Sequence, residues 1–200
     1  MKKVIILFAL VSLMVFALSI SALGAGSVYF DYIVDGEWEE ADLTGFVIGG
    51  EYKTDTFKIG FDYLLGEIES EIDLDYTQYI LKGGYGINEN IFITLSWFDL
   101  TQEYIELEAT IDGLLLGADL SYDLSEQLTF EGSLGISVTG KFTETDEDSV
   151  DADFTALKLK LIYNVSDNIG VAIGYNNISI EVEDNEADLN YMTLGAAYKF

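Results

Sequence analysis

Beyond about residue 25 the chain alternates apolar and polar residues with a period of two, the signature of strands that present one face to each of two environments. In the segment 128–143, Leu128, Phe130, Gly132, Leu134, Ile136, Val138, Gly140 and Phe142 fall on one face, and Thr129, Glu131, Ser133, Gly135, Ser137, Thr139 and Lys141 on the other. The next segment repeats this, with Leu157, Leu159, Leu161, Tyr163 and Val165 set against Ala156, Lys158, Lys160 and Asn164. So do 56–67 (Phe57, Ile59, Phe61, Tyr63, Leu65) and the final run (Met192, Leu194, Ala196, Tyr198, Phe200).

Two kinds of boundary interrupt the alternation. Short polar turns stand at Thr54-Asp55-Thr56, Ile87-Asn88-Glu89-Asn90, Ser125-Glu126-Gln127 and Ser166-Asp167-Asn168. Between them lie acidic stretches, 35–42, 67–75, 99–112, 144–153 and 181–188, which hold 26 of the 36 carboxylates and no Lys. Read as long acidic loops, the five stretches and four turns predict ten strands: 27–35, 42–53, 56–67, 75–86, 90–100, 108–124, 128–143, 150–165, 169–181 and 188–200. Boundaries fixed only to about 2–4 residues leave eight or twelve strands as the alternatives. Short turns at one end and long connections at the other are the wiring of an up-and-down barrel. Ile68, Ile72 and Leu74, Ile105, Leu107 and Ile111, and Ile178, Ile180 and Val182 continue the alternation into the acidic stretches with shifted parity. The shifts, near Tyr76-Thr77, Asp112-Gly113 and Asn176-Asn177, predict β-bulges at a barrel rim, and either hairpins that stabilise themselves or a sheet edge offered to a partner chain.

Periodicity alone does not say whether the apolar face meets lipid or a protein core. Strand length does, since segments of about 10 to 16 residues suit a tilted bilayer crossing better than a soluble sheet. The other face is rich in small residues (Gly60, Gly84, Gly117, Gly135, Gly174, Gly195), as a narrow lumen requires. Aromatic residues gather in two belts, Tyr52, Phe57, Tyr85, Tyr122, Phe130, Tyr163, Tyr198 and Phe200 by the short turns and Tyr63, Trp97, Phe142 and Tyr175 by the acidic stretches. Residues 1–24 read as a secretory signal peptide: Lys2 and Lys3, an apolar run from Val4 to Leu18, then Ala22-Leu23-Gly24 before a cleavage expected at Ala25. An uncleaved anchor helix is the alternative. The expectation is thus an all-β, transmembrane antiparallel up-and-down β-barrel over 25–200, with a secreted soluble β-protein as its rival. The last residues, Met192, Leu194, Ala196, Tyr198 and terminal Phe200, resemble the C-terminal strand of bacterial outer-membrane barrels. In size and wiring the chain is similar to the small opacity-type or OmpA-type barrels, without a motif of any one family. The resemblance implies outer-membrane lipid as the surroundings and a barrel-assembly machinery that reads Tyr198 and Phe200.

Composition then narrows the chemistry. The net charge of -27, with no Arg, repels nucleic acid, and the absence of Cys and His removes thiol nucleophiles, disulfides and the commonest metal ligands. Barrel enzymes rely on a His as base or partner, so a non-enzymatic role is expected; Asp146 and Asp148 form a carboxylate pair without a pocket. No cofactor is implied beyond weak divalent cations at the acidic stretches, where 146–151 lacks the Gly and terminal Glu of an EF-hand loop. The Lys residues of the barrel, Lys53, Lys58, Lys82, Lys141, Lys158, Lys160 and Lys199, all fall by parity on the inward face, with Asp31, Glu51, Asp62, Asp119, Asp123 and Glu131. Charges walled in by protein need partners. The candidate site is therefore a lumen network of Glu51, Lys58, Asp62, Lys82, Asp119, Glu131, Lys158 and Lys160, in which Glu131 is expected to pair with Lys158 or Lys160. It serves either a closed barrel with a structural or surface-interaction role or a narrow, cation-preferring pore.

Overall fold

The computed structural model describes residues 25–39, 41–69, 74–104, 107–145, 148–183 and 185–200. The expected signal peptide lies outside these residues, as do parts of the acidic stretches, including Asp146. The described residues form ten strands, β1 (Ala25–Trp38), β2 (Ala41–Lys53), β3 (Phe57–Glu69), β4 (Leu74–Asn88), β5 (Ile91–Tyr104), β6 (Leu107–Asp123), β7 (Leu128–Glu144), β8 (Val150–Asn164), β9 (Ile169–Val182) and β10 (Asn185–Lys199). Every strand pairs antiparallel with its chain neighbours and β1 closes on β10, giving the up-and-down barrel that the alternation predicts.

The outward face carries a continuous apolar belt. Phe57, Leu81, Tyr85, Leu134, Ile136, Ile173 and Leu194 are among some thirty large apolar side chains left exposed by the chain itself. A belt of this extent around the whole circumference is tolerated only against hydrocarbon, so the barrel is a transmembrane one. On β7 it runs from Phe130 to Val138, about 20 Å at ~3.3 Å rise and ~40° tilt.

The strands run well past that belt, and here the structure departs from the expectation. Much of the acidic sequence is strand rather than loop: β1 reaches Trp38, β5 reaches Tyr104 and β10 begins at Asn185. Nor does parity shift at the three predicted points. Pairing is continuous through Leu65↔Thr77 and Gly66↔Tyr76, through Phe98↔Gly113 and Asp99↔Asp112, and through Tyr191↔Asn176 and Asn190↔Asn177. What changes is the chemistry of each face. Along β5 the outward row Ile93, Leu95, Trp97 continues as Asp99, Thr101, Glu103, while the inward row Thr94, Ser96 continues as Phe98, Leu100. Strands β3, β4, β6, β8, β9 and β10 make the same exchange. Apolar residues shift by one position because the strand has left the bilayer for water, so lipid no longer covers its outer face and a core must form inside.

That core is a plug at the end of the barrel away from the short turns. Leu43, Leu64, Ile68, Tyr76, Phe98, Leu100, Ile111, Phe154, Ile178, Ile180 and Leu189 are all buried in one cluster. The Phe98 and Phe154 rings lie 4.8 Å apart, and Trp38 sits 6.0 Å from Tyr76. The one parity change on β7 has a local cause. Leu115 faces Ser137 and Leu114 faces Thr139, so Val138 is bulged out of register. Beyond it Phe142 turns inward onto the plug and Lys141 turns outward between Asp112 and Asp151. Lys141 is therefore not a lumen residue, and Phe142 does not belong to an aromatic belt.

Candidate functional site: an ion-paired chamber beneath an apolar plug

Below the plug the interior becomes polar in layers. A neutral layer comes first: Gln78, Thr94, Ser96, Asn176 and Thr193 are buried, and Tyr76 Oη donates to Gln78 Oε1 at 2.9 Å. Next, towards the short turns, lie the charges. The inward parity of β3, β4, β6 and β8 brings Lys58, Lys82, Asp119 and Lys158 into one chamber around a cavity of about 80 Å³, room for a few waters.

Two ion-paired groups fill it. In the first, Lys58 Nζ bridges Glu51 Oε2 at 2.6 Å and Asp119 Oδ2 at 2.8 Å. Lys82 Nζ donates to Asp119 Oδ1 and to Ser133 Oγ, both at 3.0 Å, and Ser133 Oγ donates to Asp119 Oδ1 at 2.6 Å. In the second, Lys158 Nζ donates to Asp62 Oδ2 at 2.9 Å and to Tyr29 Oη at 3.1 Å, while Tyr29 Oη donates to the other Asp62 oxygen. Lys160 Nζ donates to Asp31 Oδ2 at 2.6 Å and lies 3.9 Å from the centre of the Tyr29 ring, a cation–π position. Glycine makes room for this group. The Tyr29 ring occupies the space where a Cβ of Gly49 would stand, and the Asp31 carboxylate that of Gly195.

Four ammoniums, of Lys58, Lys82, Lys158 and Lys160, thus meet four carboxylates, of Glu51, Asp119, Asp62 and Asp31. Seven of the eight residues singled out from the sequence take part. Glu131 is the exception: it lines the chamber and faces Lys160 across the β7–β8 ladder, but Lys160 turns to Asp31 and Lys158 to Asp62. Register neighbours on adjacent strands are displaced here by partners reaching across the lumen, a contact that strand adjacency cannot foresee. Tyr29 and Ser133 were not singled out, although their parity, two residues from Asp31 and from Glu131, places both on the inward face. Near the short turns Lys199 Nζ donates to Asn164 Oδ1 at 2.8 Å and Thr129 Oγ1 to Asp123 Oδ1 at 2.7 Å.

Of the two residues proposed as an assembly signal, Tyr198 faces outward and is half exposed, and Phe200 exchanges backbone hydrogen bonds with Gly26, 2.9 Å and 3.1 Å long. Among the described residues no three acidic side chains are grouped so as to hold a metal ion. On the outer surface beyond the belt, carboxylates stand directly opposite one another, Asp99 to Asp112, Glu67 to Asp75, Asp75 to Glu103 and Glu103 to Glu108.

No protein-family profile and no curated protein sequence matches the chain. Solved structures do. OmpT, an outer membrane protein of Vibrio cholerae, matches at 12% identity and a TM-score of 0.41, over 87% of this chain and 64% of its own. The attachment invasion locus protein Ail of Yersinia pestis matches at 16% identity and 0.40, over 88% and 99%. The outer membrane protease OmpT of Escherichia coli matches at 13% identity and 0.49, over 88% and 93%. This chain spans less than two thirds of the length of the Vibrio cholerae protein. Likenesses of this grade assign neither family nor activity, and the barrel is established by its own closed strand register.

Proposed function

We propose that the protein is a non-enzymatic, non-conducting barrel of the bacterial outer membrane that carries an acidic head on the outer surface, where it serves a structural or surface-interaction role. The observation that carries the reading is the apolar plug. Phe98, Phe154, Tyr76, Leu64 and Leu189 fill the lumen with buried side chains, and a hydrated ion has no polar path across them. With Glu131 and Lys199, which also line the chamber, five carboxylates face five ammoniums below it, so no surplus of one sign is left to select an ion. Outer-membrane placement is supported by the belt height and by the signal-like residues 1–24; the assembly machinery would read Tyr198 and Phe200. Absence of His from the whole sequence supports the lack of enzymatic chemistry. Divalent cations are proposed only as weak, diffuse counterions of the head.

Planar-bilayer recording tests the reading. The purified barrel should be silent, and the double variant Phe98→Ala/Phe154→Ala should show conductance if its chamber opens to both sides. Stable cation-selective conductance of the unaltered protein would overturn the closed-barrel reading in favour of a pore.

A further inference from the structure

Above the plug the strand ends enclose a second cavity, of about 280 Å³, between Trp38, Leu100, Ile111, Phe142 and Ile180. Its rim carries two carboxylates, of Glu39 after β1 and Glu144 on β7, both exposed; Glu186 also lines it, but its carboxylate turns to the outer face, where it accepts from Ser179 Oγ at 3.4 Å. No Lys lines it. Gln102 also lines it, and its Nε2 is buried without a hydrogen-bond partner among the described residues. An unmet amide donor is costly to bury, so this atom marks a place for an acceptor.

We propose that this vestibule binds a basic peptide segment through one large apolar side chain flanked by Lys or Arg. Each part of the site selects one part of that ligand. The cavity approaches the smaller end of ligand pockets and takes a single side chain of the size of Phe or Leu, with Trp38 and Phe142 as walls. Glu39 and Glu144 stand at the ends of strands nearly opposite in the barrel, too far apart for one ammonium to meet both, which favours several cations on either side of the anchor over a small monoamine. A peptide carbonyl beside the anchor supplies the acceptor that Gln102 Nε2 lacks. The acidic outer surface, part of a chain of net charge -27, draws such a segment in before contact. The site uses the plug only as its floor, so it goes beyond the closed-barrel reading and stands or falls separately from conductance.

The chain has two Trp, and one of them reports on the site: Trp38 lines the vestibule whereas Trp97 faces outward in the belt. The Trp97→Phe variant in nanodiscs of zwitterionic lipid therefore gives a Trp38 signal. The probes are the acetylated peptide amides Lys-Lys-Phe-Lys-Lys, Lys-Lys-Ser-Lys-Lys and Glu-Glu-Phe-Glu-Glu, with empty nanodiscs as control. The Phe-centred basic peptide should change Trp38 emission saturably and bind at least tenfold more tightly than the Ser-centred one, and the acidic peptide should not bind. Ala109→Phe, which fills the cavity, should abolish the difference between the two basic peptides. Glu39→Gln/Glu144→Gln should weaken the Phe-centred peptide at least tenfold, with folding checked by the heat-dependent gel mobility of each variant. Equal binding of the Phe- and Ser-centred peptides, undiminished binding to the double carboxylate variant, or no saturable change at all would overturn the proposal.

Discussion

The sharpest energetic consequence concerns Asp31 and Lys160, which meet at 2.6 Å across the lumen with only 4% of either side chain exposed. At that separation the Coulomb attraction is about 6 kcal/mol for an effective dielectric of ~20, against about 1.6 kcal/mol in bulk water. Burial costs offset much of the larger figure when the pair forms, but removing one partner leaves the other charge buried, at about 3–5 kcal/mol. The prediction is that Lys160→Met or Asp31→Asn alone lowers barrel stability by about 3 kcal/mol or more, and that the double variant loses much less than the sum. Equilibrium unfolding in urea, from phospholipid vesicles and followed by circular dichroism, supplies the four corners of the cycle. Loss of the Lys160 stacking over Tyr29 enters the single and the double variant alike and cancels. A coupling energy below about 1 kcal/mol, the range of solvent-exposed pairs, would refute the claim that the chamber is a low-dielectric interior and would make it a water-filled passage.

Three further outcomes are expected. Phe98→Ala, at a fully buried position packed against the tilted Phe154 ring, should cost about 3–5 kcal/mol in the same unfolding assay, and a loss under about 1 kcal/mol would show that the plug is not a packed core. Because the chain has no Cys, single-cysteine variants can place the β7 bulge: a water-soluble maleimide should modify Lys141→Cys rapidly and Phe142→Cys slowly in the folded barrel, and the reverse order would refute the bulged register. Glu183 opens the β9–β10 turn at φ 56°, so Glu183→Gly should raise stability by about 1 kcal/mol in urea titration, whereas a decrease would refute the left-handed turn.

How much of this was legible in the sequence follows from what a period of two encodes. Strand number, order and the outward belt are local properties, and Phe57, Ile59, Phe61, Tyr63 and Leu65 state theirs without reference to any other strand. Inward placement of Lys58, Lys82, Lys158 and Lys160 follows from the same parity. Their partners do not, because the choice of Asp31 over Glu131 by Lys160 depends on which side chains meet across a closed lumen. The fate of Lys141 is lost for another reason: the residue that breaks parity, Val138, is as apolar and β-branched as Ile136 before it on the same row and gives no sign of the bulge.

The acidic stretches expose an ambiguity in alternation itself. An apolar row that moves by one residue along a strand has two physical explanations, an inserted residue that turns the strand over or an unturned strand that crosses from one solvent to another. The two differ in what they predict for the partner strand. A bulge turns one strand over and shifts both ladders that this strand makes, as β7 slips by one residue against β6 at Val138 and against β8 between Ile136 and Lys141, whereas a change of solvent exchanges the faces of adjacent strands at about one height with their pairing unbroken. Here Trp97 gives way to Asp99 outside as the paired Leu114 gives way to Asp112 on β6, and inside Ser96 gives way to Phe98 within one step of where Gly117 gives way to Leu115 on β6. Simultaneous exchange on adjoining strands is therefore the mark of the membrane boundary. It fixes that boundary on β5 between Trp97 and Asp99, and makes the structure above it a water-exposed barrel with an oily core, continuous through the same ten strands with a lipid-exposed barrel whose core is charged.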